Sequence, residues 1–245
     1  MQIRKHIPNI FTLGNLFSGT LATIFAVQGK FELTASFVLL GVFLDFFDGF
    51  FARILNVTGE LGKQLDSLAD MVTSGVVPGI VMYQLLNIHS TYSIILNDEF
   101  EIGPLISFIG LFLTLSACYR LAKFNIDTRQ SESFIGLPTP AMSLFVVFLP
   151  IIYIHSEYQF LNELLSNQYV LIGLTLVLGY LMNAELVLFS LKFKNFNLKN
   201  NAYKYILLVL SIVLILVFTY VSVPMIIISY VILSLIKNVS EKKIN

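Results

Sequence analysis

Residues 45–70 read D-F-F-D-G-F-F-A-R-I-L-N-V-T-G-E-L-G-K-Q-L-D-S-L-A-D. Four aspartates and an arginine stand there among phenylalanine, leucine and valine, in or beside segments apolar enough to cross a bilayer. One Asp at mid-membrane depth costs about 2.5–3.5 kcal/mol on insertion scales, so four cost roughly 10–14 kcal/mol. That penalty calls for a compensating partner, and a divalent metal is the obvious one. At about 100° per residue, Asp45, Gly49 and Ala52 fall on one helical stripe, with Asp48 and Arg53 flanking it on opposite sides. Asp66 and Asp70 are four apart and share a face, with Gly62 one turn earlier. A short polar hairpin joins the two segments, so their charged faces can meet. Gly49, Ala52 and Gly62 give the resulting cage a floor without bulk.

Composition sets the surroundings. The chain has 245 residues, 56% hydrophobic and 12% charged, with mean hydropathy +0.82. Soluble domains carry about 25% charged residues. The reading is an all-α, polytopic membrane helix bundle forming a single domain over 1–245. A formal net charge of zero gives no case for nucleic acid. A lone cysteine, Cys118, excludes an internal disulfide. The basic N-terminus precedes an apolar run without a clear cleavage site, which reads as a retained span. His6, His89 and His155 are scattered and suggest no zinc site.

Eight apolar stretches are long enough to span about 30 Å of hydrocarbon: 9–28, 33–54, 65–86, 103–122, 138–155, 169–189, 203–219 and 222–237. The last two are close enough to form one kinked hairpin. With both termini cytoplasmic, every Lys and Arg except Lys30 lies inside, as the positive-inside rule asks. Glu32, Asp98, Glu99, Glu101, Glu157 and Glu163 lie outside. This orientation puts the 45–70 cage at the cytoplasmic end of spans two and three.

Three flanking stretches add polar groups. Thr12, Asn15 and Ser18 make a small polar stripe at helical spacing after Pro8, and close helix packing accounts for it. Arg120, Lys123 and Asn125 converge at the cytoplasmic end of span four. They serve either as ordinary membrane anchors or, through Arg120, as a two-pronged grip on phosphate or carboxylate. Gly136, Pro138 and Pro140 make a stiff loop before span five, either a connector or a substrate-binding lip. Glu185, near the end of span six, reads best as a structural partner for Lys192 or Lys194.

The pattern D-x2-D-G-x2-A-R-x8-G-x3-D-x3-D, filled at Asp45, Asp48, Gly49, Ala52, Arg53, Gly62, Asp66 and Asp70, resembles the signature of the CDP-alcohol phosphotransferase family. P-N-I-F-T-L-G-N-L-F-S-G, R-L-A-K-F-N and F-I-G-L-P-T-P-A are most similar to the integral-membrane phosphatidylserine synthases within it. The similarity runs from about Ile7 to Ala141, with Lys123 standing where Arg is more usual. The resemblance implies transfer of a phosphatidyl group from CDP-diacylglycerol to L-serine with release of CMP. It implies two Mg²⁺ or Mn²⁺ ions on Asp45, Asp48, Asp66 and Asp70, with Asp70 also the general base. Asp48, Gly49, Ala52, Arg53, Gly62 and Asp66 would bind the CDP group. Arg120, Asn125, Pro138 and Thr139 are the candidates for serine or phosphate binding. The family context further implies a homodimer in a bacterial-type inner membrane, with the site facing the cytoplasm.

The same residues are compatible with other readings. Glycerol 3-phosphate or inositol could replace serine as acceptor. A membrane prenyltransferase also binds diphosphate through aspartates, but its motifs usually lie far apart. A cation or proton transporter keeps intramembrane carboxylates too, although here they crowd one side. A purely structural role, pairing the aspartates with Arg53 and Lys63, leaves two charges uncompensated.

Overall fold

The computed structural model describes residues 6–57, 59–89, 94–97, 100–102, 105–127, 129, 133–191, 197 and 201–242. Helices dominate. They are α1 (Ile7–Val27), α2 (Phe31–Ile54), α3 (Glu60–Asp70), α4 (Val77–Ile88), α5 (Phe112–Ile126), α6 (Thr139–His155), α7 (Gln159–Ser166), α8 (Gln168–Asn183), α9 (Ala202–Phe218) and α10 (Ser222–Lys242). The all-helical expectation needs one qualification. Two small antiparallel sheets occur, β1 (Ile94–Asn97) with β2 (Phe100–Ile102), and β3 (Ser133–Ile135) with β4 (Val187–Phe189).

Large apolar side chains point outward over much of the surface, including Phe17, Phe43, Phe46, Leu115 and Leu216. Small and polar residues such as Asn15, Ser18, Thr34, Ser74 and Thr175 lie inside. This is the inverse of a water-soluble surface and suits a chain dissolved in lipid. Five helical runs are long and apolar enough to cross a membrane, or six if α7 and α8, bent by 79°, make one span. The expected eight crossings are therefore not met by length and composition. Helix α6 has only 17 residues. The apolar run 202–240 counts once by composition, yet it folds back on itself. Thr219 adopts φ 44° between α9 and α10, and Tyr203 Oη meets Ser240 Oγ at 3.4 Å.

Local chemistry explains the two turns that shape the site. Helix α2 ends in a Schellman motif: Val57 N–H donates to Ala52 O at 3.0 Å and Asn56 N–H to Arg53 O at 3.2 Å. Asn56 holds φ 51°, a left-handed conformation that Asn tolerates better than most residues. The chain then reverses, and α3 starts at once. The 60–88 run is one rod with a widened turn, the π-helical Met71–Val76. Pro78 lacks an N–H and its ring crowds the carbonyl four residues back. The widened turn just before it absorbs that conflict, and Thr114 Oγ1 donates to Gly75 O at 3.0 Å.

The loop before α6 is not a free lip. Gly136 takes φ 78°, and a Cβ there would run into Met182 O. Gly136 N–H donates to Leu186 O at 2.8 Å and Leu137 N–H to Leu181 O at 2.9 Å. With β3 paired to β4, the segment is stitched to the end of α8 as a strap. Helix α10 holds the strap from behind, through Tyr230 Oη to Phe189 O at 2.9 Å and Asn238 Nδ2 to Val187 O. At the opposite end of the bundle, His155 Nε2 lies 2.7 Å from Glu32 Oε1, tying α6 to α2.

Candidate active site

Helix α2 contributes Asp45 and Asp48, and α3 contributes Asp66 and Asp70. One carboxylate oxygen each from Asp45, Asp48 and Asp66 lie within 4.8 Å of one another. Asp70 stands one turn above Asp66, outside that trio but close enough to feel the charge of Asp45, Asp48 and Asp66. No Lys or Arg makes an ion pair with any of the four among the described residues. Arg53 instead folds back along α2, its Nε donating to Gly49 O at 2.8 Å. Lys63 Nζ donates to Asn125 O. The structural reading, with Arg53 and Lys63 neutralising the cage, therefore fails. An oxygen-only donor set with this uncompensated charge fits a hard divalent cation such as Mg²⁺ or Mn²⁺.

Beside the cage lies a cleft of about 220 Å³. Its lining comes from three sources: Pro8, Asn9 and Thr12 of α1; Asp48, Gly49 and Ala52 of α2; and Val57, Gly59, Gly62, Lys63 and Asp66 of the turn and α3. Gly49 and Gly62 keep the floor open. A Cβ on Gly62 would approach nothing nearer than Asn9 Oδ1 at 3.7 Å, and one on Gly49 nothing nearer than Arg53 Nη2 at 4.0 Å. The geometry thus joins five of the six expected CDP-binding residues around one cleft. Arg53 is exposed beside it rather than lining it.

The second group of candidates separates. Arg120 is 6% exposed, and its Nε is buried without a hydrogen-bond partner. Its guanidinium carbon lies 6.0 Å from the Phe124 ring centroid, and its charge reaches Asp70. A small recess beneath the strap brings it together with Lys123, Ile135, Met182 and Asn183. Asn125 turns elsewhere, its Nδ2 donating to Ser67 Oγ at 2.8 Å and so bracing α5 against α3. Pro138 and Thr139 line neither this recess nor the cleft; Thr139 is buried at the start of α6. Glu185 pairs with Lys123 at 3.2 Å and Arg129 at 3.4 Å. Hydrogen bonding to Lys123, then the Arg129 charge, holds its carboxyl below the usual range. Lys192 and Lys194, the partners expected for it, lie outside the described residues, as do Arg4, Lys5, Asp98, Glu99, Lys199 and Lys243.

Sequence reasoning missed the part played by α1. Thr12 Oγ1 donates to Asp48 Oδ2 at 2.7 Å, and Asn15 Nδ2 to Asp70 Oδ1 at 3.1 Å. The signal was the polar stripe itself, which tight helix packing explained equally well. Of its three members only Ser18 is confined to its own helix, bonding Gly14 O at 2.9 Å.

A family model for CDP-alcohol phosphatidyltransferase matches residues 5–187. The chain belongs to that family. The matched region contains the whole cage, the cleft and Arg120, and it ends within β4, before the α9–α10 hairpin. Among curated relatives, the CDP-diacylglycerol–serine O-phosphatidyltransferase of Bacillus subtilis is 36% identical over 153 residues, 61% of this chain and 77% of the relative. The Helicobacter pylori (strain J99) protein of the same name is 33% identical over 194 residues, covering 78% and 75%. An archaetidylserine synthase from Methanothermobacter thermautotrophicus is 32% identical over 143 residues, covering 56% and 54%. In this CDP-alcohol phosphatidyltransferase, the cage lies inside the matched region, at one end of a membrane helix bundle.

Proposed function

We propose that the protein transfers the phosphatidyl group of CDP-diacylglycerol to the hydroxyl of L-serine, releasing CMP. The observation that carries this is the set of four carboxylates that make no ion pair with Lys or Arg among the described residues, beside a cleft floored by glycines. The serine acceptor follows the names of the relatives at 33–36% identity.

Asp45, Asp48, Asp66 and Asp70 would hold two divalent ions, Mg²⁺ or Mn²⁺, which when bound screen the diphosphate and polarise its phosphorus–oxygen bonds. Gly49, Ala52 and Gly62 admit the CDP group against the backbones of α2 and α3. Asp70 accepts the serine hydroxyl proton. The serine oxygen then bonds to the phosphatidyl phosphorus as the bond from that phosphorus to the CMP oxygen breaks. Direct displacement needs no covalent enzyme intermediate. Arg120 supplies the counter-charge for the serine carboxylate or the phosphate, since its buried Nε has no hydrogen-bond partner until an anion joins it.

The reading treats the chain as one membrane domain, a homodimer in a bacterial-type inner membrane with the cage facing the cytoplasm. The orientation rests on Lys63, Arg120, Lys123 and Arg129 at the cage end and Glu32, Glu157 and Glu163 toward the other. The acceptor is tested by CMP release from CDP-diacylglycerol with serine, glycerol 3-phosphate or inositol supplied in parallel. Release with serine alone supports the reading. Release with another acceptor moves the enzyme within its family, and release with none overturns it.

A further inference from the structure

We propose that Asn15 is the positioning residue for Asp70, and that Thr73 holds the other end of the Asn15 amide in place. The proposal rests on Asp70 being the base. Asn15 is fully buried and Thr73 is 1% exposed, so neither lines the cleft. Any effect on the reaction passes through Asp70.

An amide has a donor end and an acceptor end of nearly equal shape, and its neighbours decide which faces where. Here Thr73 holds the acceptor end. Its Oγ1 lies 2.8 Å from Asn15 Oδ1 and 3.2 Å from Asn15 O, so its single hydroxyl proton points at carbonyl oxygen. That leaves the Asn15 NH2 facing Asp70 Oδ1 at 3.1 Å. An amide N–H donates and cannot take a proton. One oxygen of Asp70 is therefore occupied by a donor, and the other is left for metal and the incoming hydroxyl.

The pair is confined from every side. The π-helical turn that follows Asp70 carries Thr73 to α1, and π turns inside α-helices are often found at functional sites. Ser143 Oγ of α6 donates to Thr73 O at 3.2 Å. A Cβ on Gly41 would lie 2.7 Å from Thr73 Cγ2 and 2.8 Å from Asn15 Oδ1, and one on Gly19 would overlap Thr73 Oγ1. Two glycines thus let α1, α2 and the turn close around the amide. Simple helix packing would not need a hydroxyl and an amide in this register.

The test measures kcat per folded protein and KM for serine and for CDP-diacylglycerol in Asn15→Leu, Thr73→Val, Thr73→Ser and the double variant Asn15→Leu/Thr73→Val. Thermal unfolding reports the folded fraction. Loss of an orienting partner behind a reactive group typically costs about 10- to 100-fold. We expect Asn15→Leu to lose kcat on that scale with both KM values nearly unchanged. Thr73→Val falls in the same parameter, Thr73→Ser restores it, and the double variant is no worse than Asn15→Leu. Should Asn15→Leu fail to fold, the Thr73→Val and Thr73→Ser pair carries the test. Unchanged kcat in folded variants, a loss confined to KM, or additive losses in the double variant would overturn the proposal while wild-type protein stays active. Wild-type protein that releases no CMP with serine overturns instead the functional reading beneath it.

Discussion

Thr12 Oγ1 donates to Asp48 Oδ2 across 2.7 Å, so the first helix of the bundle holds one of the four carboxylates of the cage. Partners behind a metal-ligating carboxylate fix its orientation. Thr12→Val keeps the side-chain shape and deletes the hydroxyl. It should raise the Mg²⁺ or Mn²⁺ concentration for half-maximal turnover by about 10-fold or more. A metal titration of CMP release checks this, and an unchanged midpoint counts against Asp48 as a ligand.

Asp45, Asp48 and Asp66 crowd like charge within 4.8 Å. Divalent metal should raise the Tm of the wild type, and Asp66→Asn should abolish both that rise and turnover. In EDTA the same variant should melt no lower than wild type, because one repelling charge has gone. Thermal unfolding with and without metal separates the two effects.

Arg120 is buried and its Nε lacks a partner. Arg120→Lys should fail to replace it, since an ammonium cannot offer the planar two-pronged grip. We expect KM for serine to rise about 10-fold or more in Arg120→Lys and Arg120→Ala, a loss of one charge-assisted contact. KM for CDP-diacylglycerol should hold. A rise confined to CDP-diacylglycerol would place Arg120 on the phosphate instead.

Gly110 lies far along the bundle from the cage, and a Cβ there would sit 2.5 Å from Tyr83 N and 2.8 Å from Met82 C. Backbone cannot swing aside as a side chain can. Gly110→Ala should cost about 1–3 kcal/mol of stability through overpacking. A lowered Tm with both KM values intact is the expected result.

The cage was legible because charge inside an apolar segment has few explanations, and because spacing on two helices fixes which aspartates share a face. Asp45, Asp48 and Asp66 do come together as that geometry requires. Arg53 was harder. Its place in the motif implied CDP binding, yet it stands exposed beside the cleft, because an arginine at a helix end can bond the backbone of its own helix, as its bond to Gly49 O does. Asn125 has the right residue type for a polar ligand, yet Ser67 lies within reach and takes its amide. Such choices depend on which side chain arrives opposite, and a single sequence does not carry that. The same holds for Thr12 and Asn15, whose partners stand 36 and 55 residues away. Crossing number was obscured by local chemistry: Thr219 turns an apolar run back on itself, and α7 bends away from α8 by 79°.

The most direct test of the account supplies purified protein in detergent with CDP-diacylglycerol, radiolabelled serine and Mn²⁺ or Mg²⁺, and compares it with EDTA and with Asp70→Asn. One serine label should enter lipid for each CMP released, with no transfer in either control. Label entering lipid at the wild-type rate in EDTA, or with Asp70→Asn, would contradict this reading.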